Sequence, residues 1–430
     1  MRPAERTVSI VIPTHNRRAS VERTLRALST QSYSLSRIEV IVVADGCTDG
    51  TLEISRTDWP FAVRVLDQPG LGPAAARNRG AAAATGERLI FLDDDIEPFP
   101  GFVAAHVRAH ANCDSATVAI GYLPPQLQGR RDLFALMLRA WWEAMFERMR
   151  EPGHRFVYSD LLSGNFSIGR LLFARVGGFD QGLRCHEDYE LGLRLIRAGA
   201  RLEFHPDAAG WHHEHTDLPR ALRRKRDEGR ADVVLAGLHP GLAPVLPLST
   251  AGGHLTLRGR VLKKLALRCP NAGDLFEASC RSMLPLLEGA RLRTRWRRLL
   301  DDLLAYWYWR GVGESLAGAP LASVRRLTAP HDGVAHDLDL QRGLAAAMVE
   351  LDAIAPPAIR LLWGRLVVGT LAGQAGAEPL QGRHLPHLLR TAFAARFADT
   401  LALHQLLEQE RASVVPAAPL VRGDAEKRPA

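Results

Sequence analysis

The sequence predicts an α/β protein: a doubly wound, mostly parallel sheet, then a mainly α-helical region. Three observations carry that expectation. Short β-branched runs alternate with helix-length segments from Val8 to Leu92. Acidic and polar clusters stand where those runs end. From about Asp217 onward, strand-like runs give way to Leu, Ala and Arg at helical spacing.

The elements follow in order. Val8–Pro13 is apolar, rich in β-branched residues and closed by a proline, which suits a buried parallel strand. A helix with Val21, Leu25 and Leu28 on one face comes next. Ile38–Val43 is a second buried strand ending at Asp45-Gly46, and Thr48-Asp49-Gly50 opens a second helix. Phe61–Leu66 is a third strand and Gly70–Pro73 a loop. Pro73–Ala84 is an Ala-rich helix, and Arg88–Leu92 a fourth strand that runs into Asp93-Asp94-Asp95. Alternation of this kind implies right-handed crossovers, and ligands then sit beyond the carboxyl ends of the strands. Later, Arg201–Phe204 reads as a strand, while Leu262–Leu267, Arg291–Tyr308 and His387–Glu408 read as amphipathic helices. The domains expected are 1–235, an α/β domain; 236–412, a helical region; and 413–430, a disordered tail rich in Pro, Ala and charge.

Bulk properties narrow the class. The chain has 430 residues, 47% hydrophobic and 24% charged, with a formal net charge of +8. Such a basic balance suits anionic partners: a nucleotide diphosphate, anionic lipid or nucleic acid. The five cysteines are scattered and odd in number, so a disulfide framework or zinc site is not expected and a cytoplasmic setting is. The longest apolar stretch, Leu361–Gly373, contains Arg365 and falls short of the roughly 20 residues that span a bilayer. A soluble or peripheral protein on the cytoplasmic face of the membrane is the expectation.

Four clusters and one arginine could carry chemistry. Asp93, Asp94 and Asp95 leave a buried strand together and repel one another unless a cation sits among them. In an extended segment Asp93 and Asp95 share a face, so they could hold a divalent ion whose other positions take diphosphate oxygens. The run also suits a solvated acidic loop. Asp45, at the end of the second strand, could accept from a base edge such as the N3–H of uracil; it also suits a turn. On the helix after the Gly-rich loop, Arg77 is a candidate for neutralising diphosphate, or a surface arginine. Glu187 and Asp188 open a helix, where the dipole favours acids and keeps Asp188 ionised, as a general base must be. His212, His213 and His215 follow Trp211, and one of these imidazoles could complete a metal site with Asp95.

The series VSIVIPTHNR, VIVVADGCTDGT, AAARNRGAAAATGERLIFLDDDIEP, SGNFSIGRLLFARVGGFD, HEDYELGLRLIRAGARLEFHP and WHH resembles the family 2 glycosyltransferases with the GT-A fold. The resemblance covers roughly residues 7 to 230 in the family's order. It implies that Pro13, Thr14 and Asp45 line the nucleotide pocket, with Asp93 and Asp94 on the donor. It implies metal ligation by Asp95, with Asp93 and His212 (or His213), and diphosphate contact by Arg77. Asp188 matches the catalytic base and Glu187 an acceptor-binding acid. Ala44 departs from the family, many of whose members carry a first Asp there.

The function so implied is inverting transfer of a sugar from a nucleotide-diphosphate donor, UDP-sugar favoured, with Mn2+ or Mg2+. The acceptor would be a hydroxyl of a glycan, a lipid-linked molecule or a small molecule, in cell-surface glycan or glycolipid biosynthesis. A sugar nucleotidyltransferase would want a Gly-rich basic loop where Pro13–Arg17 stands. A non-catalytic binder would use the basic runs Arg220–Arg230 and Arg291–Arg298. Those carry no nucleic-acid motif, and solvated faces, then peripheral membrane contact, are the readings they suit.

Overall fold

The computed structural model describes residues 6–111, 116–250, 256–325 and 335–413. Strands β1 (Val8–Thr14), β2 (Ile38–Asp45), β3 (Ala62–Gln68) and β4 (Arg88–Leu92) lie parallel in the order β3-β2-β1-β4. β1 and β2 form where β-branched runs are buried on both faces, every residue of β4 is buried, and β3, at the edge, is partly exposed. Helix α1 (Arg18–Leu28) buries Val21, Leu25 and Leu28, as the spacing predicts. Helix α2 (Pro73–Ala83) buries a row of small residues, Ala74 to Ala76, against the sheet. The helix expected after Gly50 is instead a 3-10 segment, Thr51–Arg56. Gly50 has φ +79°, and the Asp49 carboxylate binds the amide and hydroxyl of Thr51, which holds a tight turn in place of a helical start.

The sheet then changes hand-over-hand. Strands β5 (Ile96–Pro98), β6 (Thr117–Tyr122), β7 (Pro125–Gln126), β8 (Asn165–Gly169) and β9 (Arg201–His213) extend it as β4-β8-β6-β9-β5, with β7 also on β9. β8 runs antiparallel to both β4 and β6, whereas β9 is parallel to β6 and antiparallel to β5. Helices α3 (Phe102–Ala109), α4 (Leu133–Arg150), α5 (Arg170–Arg175) and α6 (Glu187–Arg197) connect these strands. β9 is much longer than the expected Arg201–Phe204, so Trp211, His212 and His213 lie in a strand.

Beyond the sheet come α7 (Leu218–Leu238), α8 (Pro247–Thr250), α9 (Leu257–Arg268), α10 (Pro270–Arg281), α11 (Leu284–Gly289), α12 (Arg293–Leu316) and α13 (Leu321–Arg325). The compact units are residues 1–331 with 374–378, and 332–373 with 379–430. This division is not the one expected at 235/236. Tyr306, Trp309 and Val312 of α12 and Leu262 of α9 are buried in the same apolar cluster as the sheet, so these helices belong to the first unit.

The second unit holds β10 (His336–Asp339), α14 (Leu344–Ile354), β11 (Ile359–Trp363), β12 (Leu366–Leu371), α15 (Leu385–Arg390) and α16 (Ala394–Ser413). Its core is Leu338, Leu351, Ile359, Leu361, Val368, Leu385 and Phe393. A three-stranded sheet stands within this mainly helical region: the apolar stretch from Leu361 is a β11–β12 hairpin, turned at Gly364 with φ +59°. The helix expected over His387–Glu408 is two, α15 and α16. Among the described residues no helix is long and apolar enough to cross a membrane. Of the tail expected at 413–430, residues 414–430 lie outside the described residues and Ser413 ends α16.

Candidate functional site

The carboxyl ends of β1, β2 and β4 bring Thr14, Asp45 and Asp93–Asp95 to one edge of the sheet. Pro13 and Thr14 end β1, and the Thr14 hydroxyl donates to Asp94 Oδ2 at 2.6 Å. Asp45 holds the Gly-rich loop from beneath. Its Oδ1 accepts from Gln68 Nε2 and the Leu71 amide, both at 2.7 Å, and its Oδ2 from the Gly72 amide at 2.8 Å. A carboxylate offers about four acceptor positions, so roughly one remains for a base N–H.

The acid run is not a solvated loop. Asp94 is buried, and burial pushes its carboxyl up to about 6 although Arg17 opposes this. Asp95 is raised too, by burial, with His212 and Arg17 opposing. Arg17 Nη1 donates to Asp94 Oδ1 at 2.9 Å and to Asp95 Oδ2 at 3.0 Å, and its side chain is 39% exposed. Thr24 of α1 fixes the backbone that follows, donating to the carbonyls of Asp94 and Ile96. Neither Arg17 nor Thr24 was singled out from the sequence. Arg17 had one signal, its place at the strand-to-helix turn after β1, on the ligand edge.

Arg77 is not the surface arginine that its sequence also allowed. It is 4% exposed, and its guanidinium joins Asp93 to Glu187: Nη2 to Asp93 Oδ1 at 2.7 Å and Nη1 to Glu187 Oε1 at 2.9 Å. Phe179 lies against it, 5.6 Å from ring centre to guanidinium. Arg77 is thus a buried clamp between two acids, and the more exposed cation at the acid run is Arg17. Burial and the neighbouring Asp188 raise the Glu187 carboxyl, with Arg77 opposing. Asp188 is half-buried in the first turn of α6 and accepts the Ser163 amide at 3.2 Å on Oδ2 and the Tyr189 amide at 2.9 Å on Oδ1.

The two neighbouring histidines separate cleanly. Adjacent residues of a strand face opposite sides. His212 pairs in register with Ile96, directly after Asp95, and its Nε2 lies 3.8 Å from Asp95 Oδ1. That is too long for a hydrogen bond. His212 Nδ1 is buried with no hydrogen-bond partner, and Trp142 packs edge-on to the ring. His213 is fully engaged elsewhere, with Nε2 2.7 Å from Glu97 Oε2 and Nδ1 2.6 Å from Gln128 Nε2.

Among the described residues no three His, Cys, Asp or Glu side chains converge as a metal cage. The residues present nevertheless fit a divalent ion. Asp95 and His212 face each other across a gap without bonding, and two protein donors suit an ion whose other positions go to diphosphate and water. Asp93 shares the edge but is tied to Arg77 through Oδ1.

Residues 9–173 match the model of the family described as "Glycosyl transferase family 2". Similar curated proteins include the validoxylamine A glucosyltransferase of Streptomyces hygroscopicus, 34% identical over 218 residues, covering 45% of this chain and 52% of that protein. The pre-mycofactocin glycosyltransferase of Mycobacterium tuberculosis is 32% identical over 265 residues, covering 59% of this chain and 52% of that protein. The chain thus spans about half the length of these relatives. Among solved structures, the mannosyltransferase PcManGT of Pyrobaculum calidifontis, in complex with GDP-Man and Mn2+, aligns with a TM-score of 0.46 and 21% identity over 71% of this chain and 87% of that one.

Proposed function

We propose that this chain, a member of the family 2 glycosyltransferases through residues 9–173, transfers a sugar from a nucleotide-diphosphate donor to an acceptor hydroxyl with inversion at the anomeric carbon. One observation carries the reading. Asp93, at the end of β4, and Glu187, beside Asp188 on α6, share the single guanidinium of Arg77. Donor-side acids and a candidate base therefore stand at one place, although they are far apart in the chain.

The chemistry follows. The acceptor oxygen attacks the anomeric carbon as the bond from that carbon to the diphosphate oxygen breaks. Asp188 takes the proton of the attacking hydroxyl, and the nucleoside diphosphate leaves with the bond's electrons. One carboxylate base and direct attack give inversion. Arg17, the partly exposed cation bound to Asp94 and Asp95, meets the charge that develops on the leaving group. Asp95 and His212 would hold the divalent ion, Mn2+ or Mg2+, which supplies further charge neutralisation there when bound. Arg77 holds Asp93 and Glu187 in place. The remaining acceptor position on Asp45 suits an imino N–H, so a uridine donor is favoured.

The test is a panel of UDP-, dTDP- and GDP-sugars with Mn2+, run on the native chain and on Asp188→Asn. The variant is expected to bind nucleotide diphosphate normally and to lose transfer by a factor of about 10² or more. Full transfer by Asp188→Asn would remove the assignment.

A glycan or lipid-linked acceptor, made on the cytoplasmic face of a membrane, suits one surface of α9. Leu257, Val261, Arg260, Lys264 and Arg268 are all exposed at helical spacing, an apolar and basic stripe of the kind that lies on anionic lipid. Co-sedimentation with anionic vesicles at low salt is the check, and no binding there ends the membrane reading.

A further inference from the structure

The helical segment after the sheet makes a contact with the base-bearing helix that the reading above does not use. His186 stands immediately before Glu187 and Asp188 as the N-cap of α6, in the left-handed region at φ +61°. A non-glycine residue pays strain there, so something must hold it. Its ring stacks on Tyr189 at 4.4 Å, and its Nδ1 lies 3.0 Å from Asp232 Oδ1 on α7. The other oxygen of Asp232 accepts the Tyr308 hydroxyl of α12 at 2.6 Å. A carboxylate only accepts, so the His186 proton must reside on Nδ1.

Asp232 and Tyr308 are buried, Asp232 at 1% exposed, and the His186 side chain is mostly covered. A buried carboxylate is costly unless it is fully paired, and here His186 and Tyr308 pair one oxygen each. The frame behind it is close-packed. A Cβ on Gly229 of α7 would come within 2.0 Å of the Tyr308 carbonyl, and one on Gly311 of α12 within 1.8 Å of the Arg226 carbonyl. Two glycines thus let the backbones of α7 and α12 touch, which fixes the Tyr308 hydroxyl against Asp232 with little freedom to retreat. The charged groups facing His186 are Asp232 and Glu228 from α7 and Asp188 from α6 itself, with Tyr308 completing the set from α12.

We propose that His186, Asp232 and Tyr308 are positioning residues that set the first turn of α6, so that the helices beyond the sheet orient the base. This rests on Asp188 being that base. Tyr308 and Asp232 are buried and reach the first turn of α6 only through His186.

The experiment uses the full chain, with the nucleotide sugar among UDP-, dTDP- and GDP-glucose that it hydrolyses fastest in Mn2+, water serving as acceptor. Tyr308→Phe keeps the ring and removes the hydroxyl; Asp232→Asn keeps the shape and removes the charge. Each is expected to lower kcat about tenfold while the affinity for the matching nucleoside diphosphate stays within about twofold. In Asp232→Asn the His186 imidazole, followed by NMR, should titrate at a lower pH than in the parent chain. A melting temperature that falls while kcat per folded molecule stays within about twofold would overturn the proposal. Should Asp232→Asn fail to fold, Tyr308→Phe alone decides. Asp188→Asn measured alongside separates two failures. Full turnover there overturns the base and the positioning role together, whereas lost turnover there with normal kcat in Tyr308→Phe overturns the positioning role alone.

Discussion

The two ends of the proposed site, the donor end and the base end, are built differently. At the donor end, Asp45 is held by Gln68, Leu71 and Gly72, partners 23 to 27 residues along the chain. These arrive because β2 and β3 are paired and the loop follows at once. At the base end, Glu187 is held by Arg77 from 110 residues away, and His186 by Asp232 from 46. Asp232 in turn depends on Tyr308, 76 residues further on. The Asp45 part of the donor end is therefore a local product of successive strands and turns, whereas Asp94 is held by Thr14 and Arg17 from 80 and 77 residues away. The base end is a tertiary product, assembled only once the α6 start, α2, α7 and α12 have docked.

Arg77 is where the two ends meet, so removing it should give the largest effect. Arg77→Met leaves Asp93 and the buried Glu187 without their shared cation and should cost about 3–5 kcal/mol of stability, read by urea unfolding. A loss under about 1 kcal/mol would mean that the ends are not joined through this residue.

A smaller effect is expected within the donor end. His212→Ala should weaken the Mn2+ dependence of activity about 10- to 100-fold, whereas His213→Ala should leave the Mn2+ midpoint alone and lower stability modestly, because Glu97 and Gln128 lose their partner. Metal titration of both variants checks this. Equal shifts in the two would contradict the facing of the strand.

The smallest effect belongs to neither end and tells site chemistry from fold stability in acid. His106 and His110 are buried beside Ser167 and Asn165, and burial pushes them down to about 4 and about 3. Their folded-state values lie below the ordinary 6.5, so the unfolded chain takes up protons first. Stability is full above about pH 6.5 and is lost as pH falls below it, until the folded values are reached. Between pH 7 and 6 the loss should be about 1 kcal/mol for the pair together, and His110→Gln should roughly halve it. Urea midpoints at the two pH values decide; a flat profile in the parent chain would refute the assignment.

Much of the donor edge was legible in the sequence. Val8–Pro13, Ile38–Val43 and Arg88–Leu92 are strands because β-branched runs of that length can be buried on both faces, and Asp45 and Asp93–Asp95 then have to emerge at their ends. The short second sheet was not legible. Leu361–Gly373 is a largely apolar stretch interrupted by Arg365, with its hairpin turn at Gly364, and such a run fits helix or strand equally by pattern. Nor was the role of Arg77 legible, since nothing local distinguishes a phosphate-facing arginine from a buried clamp. The acids that bury it lie 16 and 110 residues away.

The sequence by itself determined the fold class, the order of the ligand-edge residues and the acid pair at a helix start, because burial periodicity, turn chemistry and the helix dipole all act over a few residues. Tertiary structure alone decided which cation pairs with which acid. It decided that His212 rather than His213 faces Asp95, through the register of β9 on β5. It also brought α7 and α12 to the base-bearing helix. Those choices rest on side chains that meet across long loops, and the free energy that selects each pairing exists only when both partners have been carried out of water together.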